Sequence, residues 1–171
     1  MNYGAAYLER PKPLAEDVPT EDVIKHAVNT IELAYGKANL IVTLQCTTPL
    51  TTSDDVDKCV ELILNSQDAD SAMTVCRVQE RPQWMFRFTG SHLEPFLKSE
   101  LKGEWGIRQT FEPLYRPTGG VYVTTRSLLM DKSRIIGDRC LPWETPYLRS
   151  FDIDSEDDLK LIEAIIKSGL V

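Results

Sequence analysis

Asp152 and Asp154 stand one residue apart in Ser150-Phe151-Asp152-Ile153-Asp154, just ahead of a strongly patterned helical segment. In extended backbone, residues i and i+2 point to the same side. The two carboxylates are therefore expected to project together, with Phe151 and Ile153 turned the other way into a core. Two hard oxygen ligands on one face suit Mg²⁺, which takes one or two carboxylates and keeps positions open for substrate phosphates. The competing reading is a pair of solvated acids at a helix N-terminus, where acids are common. The remaining candidates are less pointed. Gln45 lies in a Thr-rich loop and serves either a ligand or the loop's own backbone. Arg108 is either a substrate clamp or a surface charge. Arg116, before Pro117, reads as a structural ion-pair partner. Tyr122 alternates with Val121 and Val123 and fits a half-buried strand as well as a ligand contact. His26 and His92 have no Ser or Asp partner arranged as in a triad, and both are assigned to structure.

The elements that must position these groups follow from hydrophobic period and capping signals. The first 19 residues are irregular and Pro-rich. Thr20 reads as an N-cap, followed by Glu21 and Asp22 in a first turn. Val23, Ala27, Ile31 and Ala34 then recur at helical spacing up to Gly36. Leu40 to Leu44 reads as a buried strand that leads into the loop from Gln45 to Thr52. Ser53 reads as the next N-cap, with Val56, Val60, Ile63 and Leu64 on the helix's apolar face. Met73 to Val78 is a second strand. This helix, strand, helix, strand order predicts a parallel sheet covered by helices. Trp84 to Thr89 reads as a strand ended by Gly90, and Gly120 to Thr124 as another, followed by a helical turn from Ser127 to Met130. Ser155, with Asp158 three residues on, opens a last helix bearing Leu159, Ile162, Ile165 and Ile166.

A length of 171 residues is expected to form one domain, 1–171, large enough for a real core without metal or disulfide staples. The net charge of −7 argues against a general nucleic-acid binder, which would show a basic face. Cys46, Cys59, Cys76 and Cys140 form no CxxC pair and read as reduced residues of a cytoplasmic protein. No stretch approaches the roughly 20 apolar residues of a membrane span, so no membrane partner is expected.

Four segments resemble one family in its own order. Leu44-Gln45-Cys46-Thr47-Thr48-Pro49-Leu50 resembles the LQPTSPL segment of the CMP-sialic acid synthetases (acylneuraminate cytidylyltransferases). Tyr115 to Tyr122 resembles their FRPNGAIY segment, and Ser150 to Leu159 their SIDIDTELDL segment. Arg10-Pro11, Leu14-Ala15 and Asp17 resemble RPxxLAxD. Together the matches span residues 3–166.

The resemblance implies an α/β, three-layer α/β/α nucleotide-diphospho-sugar transferase-like (Rossmann-like) sheet, with residues 84–117 as a dimerisation arm and a homodimer as the assembly. It implies cytidylyl transfer from CTP to a sialic-acid-like nonulosonic acid with Mg²⁺ as cofactor. Asp152 and Asp154 would hold the metal. Gln45 and Tyr122 would contact the sugar, and Ile135 and Ile136 would line the place of its acyl group. Arg108 would reach the sugar of the partner subunit, and Arg10 would lie near the cytosine. Several positions depart from the family pattern. Cys46 replaces a proline, Thr51 an arginine and Thr118 an asparagine. Trp84 stands where some members carry a lysine, and Glu21 near a serine placed by the base. The family's basic Gly-rich segment, of the form ARGGSKGIPRKN, has no counterpart. On that ground the chain is expected to be a truncated homologue, a fragment or half of a split enzyme, with a non-catalytic sugar-binding or dimerising remnant as the rival function.

Overall fold

The computed structural model describes residues 4–15, 17–97 and 112–171. Among the described residues, four α-helices flank a four-stranded mixed sheet. In chain order the elements are α1 (Thr20–Tyr35), β1 (Leu40–Leu44), α2 (Ser53–Leu64), β2 (Ser71–Arg77), β3 (Phe86–Thr89), β4 (His92–Pro95), β5 (Tyr115–Thr125), α3 (Arg126–Lys132), β6 (Cys140–Glu144) and α4 (Glu156–Ser168). The sheet runs β1-β5-β2-β6, and β3 and β4 pair as a separate antiparallel hairpin.

The expected parallel sheet is only partly present. β2 and β6 pair in parallel, but β5 lies antiparallel between β1 and β2. β1, β2 and β6 therefore share a direction, and β5 alone runs against them. The helix-strand order cannot reveal this, because β5 follows the hairpin and enters the sheet from the opposite end. Sequence reading also missed β6, whose Cys140-Leu141-Pro142-Trp143-Glu144 has a proline in the middle. That proline is tolerated because, among the described residues, β6 has a partner, β2, on one side only.

Period-2 alternation on β5 divides the molecule. Val121 and Val123 point to one face and join Ala72, with Cys59 and Ile63 of α2, in a fully buried cluster. Tyr122 and Thr124 point to the other face, with Thr43 of β1 opposite Tyr122. A second cluster joins Leu50 to Ile162 and Ile165 of α4, with Phe151 and Ile153 packed against it. This matches the expected inward orientation of Phe151 and Ile153.

Local capping differs in detail from the expectations. α2 begins one residue earlier than expected, at the N-cap Thr52, which forms a reciprocal capping box with Asp55. α1 has Pro19 at its N-cap, with no side-chain cap, and Thr20 is its first helical residue. α4 has the expected N-cap Ser155, boxed with Asp158. A short 3₁₀ turn, Pro82–Trp84, occupies the start of the segment read as a strand, so β3 begins at Phe86. The hairpin exposes Phe88, Leu93 and Phe96. Residues 98–111 of the expected arm, with Arg108, Trp105 and Phe111, lie outside the described residues.

Candidate active site

The site grows from an irregularity between β2 and β5. Met73 lies opposite Tyr122 and Val75 opposite Pro117, so Thr74 alone faces residues 118–121. The extra residues of β5 arch out of the sheet, as a bulge does when it re-aims a strand. Hydroxyls replace the lost ladder bonds. Thr118 Oγ1 donates to Thr74 Oγ1 at 2.7 Å, and the Val121 N–H donates to the same Thr74 oxygen at 2.9 Å. The Thr118 that stands in place of a family asparagine is thus a buried structural group.

Gly119 sits in the arch at φ +80°, a conformation that favours glycine. A Cβ there would lie 2.9 Å from Gln45 Oε1 and 3.4 Å from Asp152 Oδ2. The missing side chain is therefore what lets Gln45 and Asp152 converge. The segment carrying Asp152 is fixed at several points. Arg116 Nη2 donates to the Ser150 carbonyl at 2.9 Å and to its hydroxyl at 3.0 Å. The Ile153 N–H donates to the Thr47 carbonyl at 2.9 Å, tying the segment to the loop after β1. Arg116 thus serves a backbone carbonyl and a hydroxyl instead of the ion pair expected of it.

Asp152 Oδ1 is buried and has no hydrogen-bond partner among the described residues. A buried carboxylate oxygen left unpaired is costly, so this atom is the strongest sign of a place kept for a cation or a donor. Tyr122, half-buried nearby, has its phenol pushed above the usual tyrosine range, first by burial and then by the Asp152 charge. Asp154 is exposed at the foot of α4, where its N–H donates to Asp158 at 3.2 Å. Among the described residues no three His, Cys, Asp or Glu side chains gather as a metal cage.

A cavity of about 350 Å³ opens beside this point, on the face of the sheet away from α2. Gln45, Thr43 and Tyr122 line one part of it. Ile135 and Ile136, from the loop after α3, line another, together with Thr20, Glu21 and Arg134. Four expected residues are thus brought together with Asp152: Gln45, Tyr122, Ile135 and Ile136. Arg10 is exposed and lines no described cavity, and Arg108 is outside the described residues. Glu21 faces the cavity that holds the isoleucines, and Arg134 had escaped notice altogether. Its position next to Ile135 was the available signal. A second cavity, about 450 Å³, lies around the loop from Gln45 to Ser53 and shares Gln45 with the first.

A buried ion pair braces the far end of that loop. Asp55, 1% exposed, accepts from the Thr52 N–H (2.9 Å), Trp143 Nε1 (3.0 Å) and the Arg149 guanidinium. Arg149 directly precedes the Ser150–Asp154 segment, so both arms of the site hang on one buried charge.

No protein-family model matches the chain. It is 25% identical over 167 residues to the post-translational flagellin modification protein B of Campylobacter coli, covering 96% of this chain and 69% of that protein. Among solved structures it is similar to a CMP:2-keto-3-deoxy-manno-octonic acid synthetase determined in complex with CTP. The TM-score is 0.58 at 11% identity, over 90% of this chain and 70% of that one. With helices on a mixed sheet, this chain shares the α/β fold of that synthetase.

Proposed function

We propose that the chain is a cytidylyltransferase that joins CTP to an acidic, nonulosonic-type sugar and releases pyrophosphate. The observation that carries this reading is the unpartnered, buried Asp152 Oδ1, converging with Gln45 and Tyr122 beside a cavity of small-molecule size. The fold shared with a synthetase that binds CTP supports it. In the reaction the sugar's anomeric hydroxyl forms a bond to the α-phosphorus, the α–β anhydride bond breaks, and the hydroxyl gives up its proton.

Asp152 fits a hard divalent cation, since its buried oxygen lacks any other partner among the described residues. Asp152, with Asp154 two residues on, would hold Mg²⁺. The bound ion would supply charge neutralisation to the phosphates. The protein's own side chains do the positioning, which is most of what such a transfer needs. Gln45 and Tyr122 would orient the sugar near its reacting end, and Ile135 and Ile136 would shelter an apolar substituent. Arg108 would clamp the sugar carboxylate across a homodimer, and Arg10 would approach the base.

The test is pyrophosphate release with CTP, Mg²⁺ and an acidic sugar, run beside Asp152→Asn and Asp154→Asn. The expected result is metal-dependent release in the parent and its loss, by 100-fold or more on the usual scale of charge-stabilising groups, in Asp152→Asn. Release at the parental rate in Asp152→Asn, or none from the folded parent with any acidic keto sugar, would refute the assignment.

A further inference from the structure

The two edges of the sheet are built differently. β6 carries Pro142 at its middle and Glu144 at its end, features that keep an edge strand from pairing with another chain. β1, Leu40-Ile41-Val42-Thr43-Leu44, has no charge, proline or bulge, and its register with β5 is unbroken. Among the described residues it is bonded on one side only. The Arg126 N–H donates to the Asn39 carbonyl. By antiparallel alternation Ile41 and Thr43 also bond to β5, and Leu40, Val42 and Leu44 turn their N–H and C=O groups to the open side. The side chains of Val42 and Leu44 are exposed as well.

Apolar helix flanks border this edge on both faces of the sheet. Val56, Val60 and Leu64 share one flank of α2, the one beside Leu44, and Leu64 is 70% exposed. On the other face the roll of α1 is fixed by two ties. Glu32 takes two bonds from Arg126 of α3, at 2.7 and 2.8 Å, and Lys25 donates to Ser133 just past α3. The loop after α3 is anchored over β2, where the Gly137 N–H donates to the Ser71 hydroxyl at 2.9 Å. The flank of α1 turned away from α3 therefore faces the β1 side, and it carries Ala27, Ile31 and Ala34, the last two exposed.

The charges along the edge say what fits it. The exposed Lys37 lies just before β1, and the exposed Asp54 and Asp57 lie at the start of α2, beyond its other end. An edge that is basic at one end and acidic at the other matches a copy of itself running antiparallel, whereas a parallel copy would set like charges together. Pairing every outward residue fixes the register. Val42 meets Val42 of the second copy, and Leu40 meets its Leu44. Lys37 then arrives level with Thr47 of the second copy, close to the loop that bears Gln45.

We propose that β1 is a two-fold interface at which two copies of this chain join edge to edge into one continuous sheet, each setting its Lys37 beside the other's Gln45 loop. The interface is separate from the β3–β4 hairpin and independent of the reaction assigned to the site. Pairing through the hairpin as well would give a tetramer.

Sedimentation of the full chain over a concentration series tests this. The parent is expected at twice the mass of Val42→Lys: dimer against monomer, or tetramer against dimer where the hairpin also pairs. Two like charges facing across the axis should weaken association by about 100-fold or more. Lys37→Glu should weaken it by roughly fivefold, the scale of an exposed ion pair. Cross-linking reads the register without relying on Val42→Lys to fold. In a Cys46→Ser background, Val42→Cys should give a disulfide-linked dimer under mild oxidation, because residues paired in this way have Cα atoms about 5.5 Å apart, within a disulfide's span. Leu40→Cys alone should not cross-link, and Leu40→Cys with Leu44→Cys should. Amide exchange along β1 should slow as protein concentration rises. The proposal is overturned by a parent of the same mass as Val42→Lys, including one that stays monomeric because the edge takes a different polypeptide. Cross-linking of Leu40→Cys alone as readily as Val42→Cys would overturn it too.

Discussion

Asp55→Asn is the substitution with the largest consequence for the fold. Asp55 is 1% exposed and its partner Arg149 19%. Burial by itself would raise the Asp55 carboxyl's pKa, but the bonds from Arg149, Thr52 and Trp143 outweigh it and hold the group below the usual aspartate range. An amide of the same shape removes the charge and strands the guanidinium. Breaking a buried pair in this way costs about 3–5 kcal/mol. For a chain of this size that is a fall in Tm of roughly 6–20 °C. Thermal and urea unfolding of the variant measure it directly. The pH dependence supplies a second reading. A carboxyl whose native pKa lies below its unfolded value adds stability that is present above the unfolded pKa and disappears as pH falls through the native one. The variant should therefore lose stability at neutral pH and much less in acid, where the two unfolding curves converge. Arg149→Met in the Asp55→Asn background should recover part of the loss, since it removes the stranded charge. A cost under about 1 kcal/mol, the range of an exposed pair, with no change in the acid limb, would refute the view that this charge braces both arms of the site.

Three further outcomes are expected. Gly119→Ala places a methyl against Gln45 and Asp152 in a left-handed backbone; it should destabilise the fold by about 1–2 kcal/mol and impair Mg²⁺-dependent turnover more than sugar affinity, which paired unfolding and kinetic measurements separate. Ultraviolet titration of the parent against Tyr122→Phe should show this tyrosine ionising above the ordinary range, and Asp152→Asn should bring it only partway down, because burial is the larger cause. Thiol labelling of the native chain near neutral pH should modify the exposed Cys46 promptly and leave Cys59, fully buried and with its thiol pushed up to about 12, unreacted until the protein unfolds.

How much of this was legible beforehand depends on the range of the interaction. The alternation of Phe151 and Ile153 with Asp152 is local, and the structure keeps it. The apolar faces of α2 and α4 were readable in part, since Ile63, Ile162 and Ile165 are buried while Leu64, Leu159 and Ile166, expected on the same faces, are exposed. The Thr52–Asp55 box was misread by one residue because Ser53 and Thr52 offer the same hydroxyl. Nothing local marks β5 as antiparallel, since that depends on where the chain re-enters after the hairpin. The arch at Thr74 was equally hidden, because it is a mismatch between strands more than 40 residues apart in sequence. Glu21 and Arg134 belong to the same class. Each is an ordinary surface charge until α1 and α3 are tied together.

β1 is bonded to the sheet through β5 alone among the described residues, and it leads straight into Gln45. A strand held along one side opens at a lower free energy than one held along both. The loop from Gln45 to Thr52 thus joins a soft support at its start to the Asp55 brace at its end. Motion in the site is then directional. Gln45 and its side of the cavity can breathe, while the Asp152 side stays still. Amide exchange should be faster along β1 than along β2. A sugar that settles against Gln45 should slow β1 and leave the interior strands unchanged.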